Sequence, residues 1–410
     1  MADGEMRRGS ALRVLGRRNF APYFAGNLLS NCGTWFQNIA QSLLVYRLTG
    51  SAFVVGVANF AQFAGVVLLA PWAGGAADRY DRKRLIIATQ VGAMMVTGAL
   101  AALSASGEGT VAVVIGLALL LGFTTAFSTP ALQAILPQLV EREDLGAAIA
   151  MNSVTFNLSR AIGPVLGAFI VARFGIPWAF GLNALSYAAL IVGLLLVHPH
   201  GGQERPKEHP KLRESLRLVR DNRDLALLLV TVAAVSITMD PVNTLGPVFA
   251  REIFHRADTL AGVLIGAFGG GAVLASFLPG AHADTPYARV GMMVALLAAG
   301  MSAFAIAPAL GIALAVLAVG GFGYLAGQTR ATTLLQLQVS DSQRGRIMAL
   351  WSVAFLGSRP IASLADGALA SAAGARIATL AMTAPAWGAA VALILHGGRA
   401  RRAEASRRDG

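Results

Sequence analysis

Gly74-Gly75-Ala76-Ala77-Asp78-Arg79-Tyr80-Asp81-Arg82-Lys83-Arg84 is a knot of charge between two long apolar runs. One run ends at Ala73 and the next begins at Leu85. A chain with this pattern leaves a membrane, turns tightly and goes back in. The first glycine and the first aspartate recur as Gly280-x-x-x-Asp284, again with an apolar run on each side. The recurrence predicts a chain built twice over.

The composition fits that reading. Hydrophobic residues make up 55% of the 410 residues and charged ones 13%, where soluble domains carry roughly 25% charged residues. That length is enough for two or three soluble domains, but a mean hydropathy of +0.62 argues against them. A spanning helix needs about 20 mostly apolar residues, and the chain offers many such runs. Met1 to Asn19 is polar and basic. The apolar run that follows is too long and too rich in Asn and Gln for a signal peptide, so it reads as the first spanning helix. Cys32 is the single cysteine, which excludes an internal disulfide and a thiolate metal cluster.

Twelve apolar segments are expected, near 20–46, 52–77, 84–105, 110–135, 144–173, 177–197, 224–250, 259–282, 287–307, 310–337, 345–371 and 376–396. The breaks carry turn residues, as in Leu48-Thr49-Gly50-Ser51 and Gly175-Ile176-Pro177. With twelve spans the loops alternate between two sides. Of the 33 basic residues, 25 fall on the side of the N-terminus and 5 on the other, while Arg160, Arg330 and Arg359 lie within spans. Basic loop residues stay in the cytoplasm, so both termini are expected there. The same bias explains the net charge of +12 as topology and makes a nucleic-acid partner unnecessary.

The longest polar stretch, 198–223, divides the chain into six spans and six spans. Its end places Leu212, Leu216 and Val219 at helical spacing beside basic residues, as in a helix lying on a membrane surface. The expected organisation is a cytoplasmic segment 1–19, bundles 20–197 and 224–396 joined by a linker 198–223, and a basic cytoplasmic tail 397–410. The bundles repeat in sequence. At an offset of 199, Ser153-Val154-x-Phe156-x-x-Ser159-Arg160-x-Ile162 matches Ser352-Val353-x-Phe355-x-x-Ser358-Arg359-x-Ile361, and Gly122-Phe123 matches Gly321-Phe322. Parallel six-helix repeats are a known transporter plan, with the site near the midplane.

These residues resemble the major facilitator superfamily, and within it the branch that contains the enterobactin exporter and related small-molecule secretion proteins. The resemblance runs from Phe20 to His396. The loop after the second span matches the family pattern at Gly74, Asp78, Arg79, Arg82 and Lys83, with Asp81 in place of the family glycine. Gly26-Asn27-Leu28-Leu29-Ser30-Asn31 and Leu43-Leu44-Val45-Tyr46-Arg47-Leu48-Thr49-Gly50 also look like that branch. Ser159-Arg160-Ala161-Ile162-Gly163-Pro164-Val165-Leu166-Gly167 is similar to the Gly-Pro motif of drug–proton antiporters, with Ser159 and Ala168 at two of its glycine positions. The resemblance implies an all-α membrane protein of two pseudo-symmetric six-helix bundles. It also implies alternating-access efflux of a siderophore, drug or secondary metabolite, a bacterial inner-membrane location and action as a monomer. By resemblance, the loop of Gly74, Asp78, Arg79 and Arg82 latches the two halves on the inside. Charge that merely keeps a loop out of the bilayer is the simpler alternative.

Individual residues sharpen this. Asn27, Asn31, Thr34, Asn38 and Gln41 share one face of the first span. Lipid does not tolerate such a stripe, so it is either a cavity wall for a polar substrate or interhelical glue. We expect the cavity. Gln328, Arg330 and Thr333, with Thr329, Thr332 and Gln336, form a second polar wall in the tenth span. Asp240, before Pro241, is a carboxyl at membrane depth and so a candidate for proton coupling. A structural pairing, or water admitted at Pro241, is the alternative. Arg160 and Arg359 hold matching places, and a structural or gating role is expected of them together with Gly163 and Pro164. Asp366 lies seven residues beyond Arg359, too far for a direct pair at about 1.5 Å per residue. Gly262, Gly266 and Gly270 recur every four residues, as close helix packing requires.

No P-loop lysine follows any glycine cluster, so ATP is not the expected energy source. His198, His200 and His209 share a loop and read as solvated. No catalytic group, metal site or cofactor is expected. The expected partners are a small-molecule substrate, protons and the lipid bilayer. An importer or facilitator of the same fold is the first rival, and a non-transporting receptor the second.

Overall fold

In the computed structural model the described residues are 13–199, 212–278, 286–339 and 341–408. Gly280 and Asp284 lie outside them, and so does the side chain of Asp78. Among the described residues the structure is helical, without strands. The helices are α1 (Ala21–Thr49), α2 (Ala52–Arg79), α3 (Arg82–Ser106), α4 (Val111–Leu139), α5 (Leu145–Phe174) and α6 (Ile176–Leu196). A short α7 (Leu212–Asp221) falls where a surface helix is expected. Then come α8 (Arg223–Thr244), α9 (Leu260–Ser276), α10 (Tyr287–Ile306), α11 (Leu310–Leu337), α12 (Asp341–Leu356), α13 (Ser358–Ala373) and α14 (Ala375–Arg408).

Among the described residues nine helices are long and apolar enough to cross a membrane. The other three spans of the twelve-span plan have visible reasons for falling short. Helix α1 carries the polar stripe. Helix α9 has 17 described residues. The span expected over 345–371 is two helices, α12 and α13, separated at Gly357. Pro360 explains the separation, because a proline ring crowds the carbonyl four residues earlier and offers no N–H to it. The segment expected over 224–250 is likewise shorter as one helix. It stops at Thr244, and Gly246–Val248 and a π-helical turn, Phe249–Ile253, complete it. Pro247 stands in the first turn of the short helix after the break, where its missing N–H is tolerated.

The chain divides into two compact units, 1–50 with 61–206, and 51–60 with 207–410. Residues 51–60, at the start of α2, therefore count with the second unit. Within the first unit α1 packs on α5 and α6, and α3 packs on α4 and α6. Within the second, α8 packs on α12, α13 and α14, and α10 packs on α11 and α14. Each neighbour pair in one unit has its counterpart six spans later.

The closest crossings repeat as well. A Cβ added to Gly122 of α4 would lie 2.1 Å from the Gln62 carbonyl oxygen of α2. One added to Gly321 of α11 would lie 1.8 Å from the Phe268 carbonyl oxygen of α9. Backbone meets backbone at both sites, which is how helices associate where lipid supplies no hydrophobic drive. The expected Gly262–Gly266–Gly270 stripe needs correction. Gly262 and Gly266 are buried, but Gly270 faces open space. The tight contact belongs to Gly271, whose added Cβ would lie 1.8 Å from the Ala318 carbonyl oxygen. A period of four drifts off the contact line of a helix with 3.6 residues per turn.

The charge knot is a two-residue turn between α2 and α3. Asp81 sits in extended backbone at φ −60° and accepts a hydrogen bond from the Arg84 N–H at 2.8 Å. It thus caps α3, an interaction typically worth about 1 kcal/mol. The turn needs no glycine at this position. Arg82 Nη1 donates to the Ala134 carbonyl of α4, and Lys83 Nζ to the Val197 carbonyl after α6, each at 2.8 Å. Cations sit favourably at helix C-termini.

Asp144, buried before α5, collects the N-terminal segment at the same end of the unit. Arg13 Nη2 donates to Asp144 Oδ1, and Arg17 Nε to Oδ2 at 3.1 Å. Arg17 also pairs with Glu141 at 3.3 Å. Burial pushes the Asp144 carboxyl up. The hydrogen bonds and charges of Arg13 and Arg17 outweigh it and hold the group below the usual carboxylate range.

Candidate functional site

The polar stripe of α1 divides by partner. Asn27 is buried and its Nδ2 donates to Asn152 Oδ1 of α5 at 2.9 Å. Gln41 is buried and donates to Gln62 Oε1 of α2 at 3.1 Å. Gln62 in turn donates to Asn38 Oδ1 at 3.3 Å. These three residues bond to neighbouring helices. Asn31 bonds back to α1 itself, to the Asn27 carbonyl and Oδ1, whereas Thr34 bonds to the Ser30 carbonyl and also meets Tyr187 of α6. Asn31, Thr34 and Asn38 are half-buried, and the buried Gln41 keeps an Oε1 without a partner.

A second polar cluster in this unit lies off the stripe. Gln37 Oε1 accepts from Thr97 Oγ1 of α3 at 2.8 Å and from Asn183 Nδ2 of α6 at 2.7 Å. All three are fully buried. The Gln37 Oε1 is thus doubly bonded, while its buried Nε2 has no partner.

On α11 the second wall is only partly satisfied. Gln328 is 6% exposed, and neither amide atom has a hydrogen-bond partner. Arg330 Nη1 donates to the Ala326 carbonyl one turn back, at 3.1 Å. Thr333 donates to the Thr329 carbonyl, and Thr332 accepts from Trp351 Nε1 of α12 at 2.9 Å. The α11 cluster therefore joins α12.

The Gly-Pro motif sets α5 against α1. A Cβ added to Gly163 would lie 2.6 Å from the Trp35 Cβ, and one added to Gly167 would lie 2.9 Å from the Phe36 Cα. Arg160 is buried, with its guanidinium 6.0 Å from the centroid of the Trp35 ring. Ser159 accepts from Cys32 Sγ of α1 at 3.3 Å. Arg359 mirrors Arg160. It lies 5.2 Å from the centroid of the Phe355 ring, and its Nη2 approaches Met239 Sδ of α8 at 3.9 Å. Of the turn residues, Gly74 has open space where a Cβ would point, and Arg79 is exposed.

Asp240 lies at the meeting of α8 and α13. It is 2% exposed, and its Oδ2 accepts from Thr244 Oγ1 at 2.9 Å and from Ser363 Oγ at 2.8 Å. Thr244 Oγ1 also accepts from Asn59 Nδ2 at 3.2 Å. Arg359 is near enough to act on Asp240 by its charge, and the carboxyl of Asp366 is within hydrogen-bonding reach. Asp366 itself is 0% exposed, and neither of its oxygens receives a bond from a donor group. The alignment in the sequence sets Asp366 against Arg359 on its own helix, but its neighbour is Asp240 on another. The rule that flags Asp240, a carboxyl at membrane depth, flags Asp366 equally. Among the described residues no group of His, Cys, Asp and Glu is arranged to hold a metal ion.

Residues 9–408 match a protein family described as transmembrane secretion effector. The chain is similar to the staphyloferrin A transporter of Staphylococcus aureus, at 28% identity over 261 residues, which is 62% of this chain and 65% of that protein. It thus spans just under two thirds of that relative's length. It is also similar to the enterobactin exporter EntS of Citrobacter koseri, at 26% identity over 348 residues, covering 81% of this chain and 80% of that one. Among solved structures, a bacterial homolog of the human lysosomal transporter Spinster in an inward-facing, unoccupied conformation gives a TM-score of 0.74 at 14% identity. That match covers 92% of this chain and 96% of that one. The nucleoside transporter NupG gives 0.70 at 13% identity, with 92% and 98% covered. At such identities the likeness to the solved structures is one of fold.

Proposed function

The chain belongs to the transmembrane secretion effectors of the major facilitator superfamily, and from that premise we propose that it exports a small polar metabolite in exchange for protons. The fold is a multi-pass, twelve-span transporter plan, and a small molecule is the cargo. The observation that carries export is the likeness to an enterobactin exporter along 81% of the chain. A siderophore is the first cargo class, followed by a drug or other secondary metabolite. The bias of basic residues supports a bacterial inner-membrane location with both termini in the cytoplasm. The protein works as a monomer.

Alternating access needs a pathway that admits substrate from one side at a time. The α1 stripe of Asn27, Asn31, Thr34, Asn38 and Gln41 supplies polar contact from the first unit. Gln328, Arg330 and Thr333 supply it from the second. The gating elements are the turn of Gly74, Asp78, Arg79 and Arg82 and the paired positions Arg160 and Arg359 with Gly163 and Pro164. The bundles 20–197 and 224–396 are the moving parts. Asp240 couples the cycle to protons. Only a group that stabilises one state more than the other can shift the balance, and a carboxyl that gains and loses a proton changes its own demand for hydrogen bonds.

Inside-out membrane vesicles with an acid lumen test this reading, with enterobactin and staphyloferrin A as probes. Uptake of either probe, accompanied by proton loss from the lumen and abolished by an uncoupler, is the expected result. Flux in the opposite direction identifies an importer, and binding without flux a receptor. Either outcome overturns export.

A further inference from the structure

We propose that Asp240 and Asp366 form one proton site, a carboxyl pair that holds a single shared proton beside the fixed charge of Arg359. The inference rests on the proton exchange proposed above and names the group that performs it.

The geometry divides the work within the pair. Ser363 and Thr244 both donate to Asp240 Oδ2, and donors of this kind favour an anion. No donor reaches either oxygen of Asp366, which is entirely buried. A buried anion without a partner is costly. Two anions side by side without a proton add their mutual repulsion. A proton on Asp366, donated to Asp240, removes both costs with one hydrogen bond. With that proton the triad of Asp240, Asp366 and Arg359 is neutral. Once it leaves, the triad is a net single anion. The O–H bond of Asp366 is the bond that breaks, and its proton passes to water.

Among the described residues, charged groups on the surrounding helices do not offer a competing partner. The described start of α2 and the whole of α9 carry none. Helix α14 brings Arg376, which donates to the Ala305 and Ala307 carbonyls, and His396, which pairs with Asp224 at 3.1 Å. Helix α11 brings Arg330, which is bonded to its own helix. Tyr287 and Arg289 belong to α10, where Tyr287 accepts from Gln338. On α7, Arg217, Arg220 and Asp221 lie before the first turn of α8. The ionisable side chains of α12 lie outside the described residues. On α8 and α13 themselves the remaining charged groups are Arg223 and Asp224, at the far end of α8, and Arg359.

Infrared difference spectroscopy across pH, on the full chain in lipid nanodiscs, tests the pair without a transported substrate. The expected spectrum contains a protonated-carboxyl stretch that disappears with the release of one proton per chain. Asp366→Asn abolishes it, Asp240→Asn shifts it, and Asp144→Asn leaves it unchanged. Asp366→Ser serves as a second, smaller variant if the amide does not fold. The proposal is overturned if the stretch survives in both Asp366 variants, if Asp240→Asn leaves it unmoved, or if sodium rather than protons displaces it. Export that runs without a proton gradient while the stretch behaves as expected overturns the exchange reading and leaves the pair standing.

Discussion

In the first unit Gly167 of α5 lies against Phe36 of α1; in the second, Asp366 of α13, 199 residues beyond Gly167, lies against Asp240 of α8, 204 residues beyond Phe36. One position earlier on α1 and α8, and seven earlier on α5 and α13, the contacts agree as well. Arg160 stands over Trp35, and Arg359 reaches Met239. The two crossings share their register, yet one is glycine on an aromatic and the other is carboxyl on carboxyl. A repeat keeps its packing geometry because backbones have to meet. Its chemistry is free to diverge wherever only side chains are concerned. The first crossing is a scaffold joint. The second is built in the same place but carries groups that no scaffold requires.

The largest expected effect comes from forcing the first crossing to imitate the second. In Gly167→Asp the new Cβ would lie 2.9 Å from the Phe36 Cα. Its carboxylate would enter a joint built for a glycine. We expect a loss of about 3 kcal/mol or more, read as lost monodisperse protein in size-exclusion chromatography. A folded variant of normal yield would show that the two crossings are less different than described. Gly271→Val comes next, with a loss of about 1–3 kcal/mol from overpacking, whereas Gly270→Val stays within about 0.5 kcal/mol because its Cβ meets open space. Thermal melting in detergent separates the two. If both melt alike, the contact line on α9 is misplaced.

Charge gives subtler contrasts. Arg160→Met should not alter the carboxyl spectrum of the second unit. Arg359→Met should alter that spectrum, because its charge acts on Asp240. Equal effects of the two would erase the functional distinction between matching arginines.

The smallest expected effect concerns the end of the first unit where Asp144 holds the N-terminal segment. The Asp144 carboxyl is held below its ordinary value in the folded chain. Its contribution is therefore fully present above the unfolded value, about 4, and is lost as pH falls through the folded value. Asp144→Asn should lower the melting temperature equally at pH 7 and pH 5. The difference should close only below about pH 4. A difference that closes between pH 7 and pH 5 would contradict the pairing with Arg13 and Arg17.

Much of the fold was legible in the sequence because lipid imposes strict length and charge rules. The apolar runs, the charge knot and the offset of 199 announce twelve spans in two repeats. The places where helices stop were less legible. Helices break before Pro360 and Pro247 within runs that hydropathy alone reads as continuous. Asp81 also looks like a departure from a family pattern until its backbone shows it capping α3. The candidate site was half legible. Asp240 stands out as a charge at membrane depth. Asp366 is hidden by reading it along its own helix, where Arg359 is too far away. Spacing within one helix says nothing about which residue on another helix it meets. Aligning the repeats would have exposed it, since a carboxyl at the place of Gly167 cannot be there for packing. The stripe on α1 shows the same limit. Its five polar residues share a face, but only their partners separate Asn31, bonded within α1, from the residues that tie helices together.

Proton exchange is proposed to reside at the carboxyl crossing of the second unit, with no part played by the matching crossing of the first. The direct measurement is enterobactin-dependent proton release from acid-loaded inside-out vesicles carrying wild type, Asp240→Asn, Asp366→Asn or Arg160→Met. The account predicts proton release for wild type and Arg160→Met and none for either aspartate variant, with all four proteins present in equal amount. Proton release that persists in both aspartate variants would contradict it.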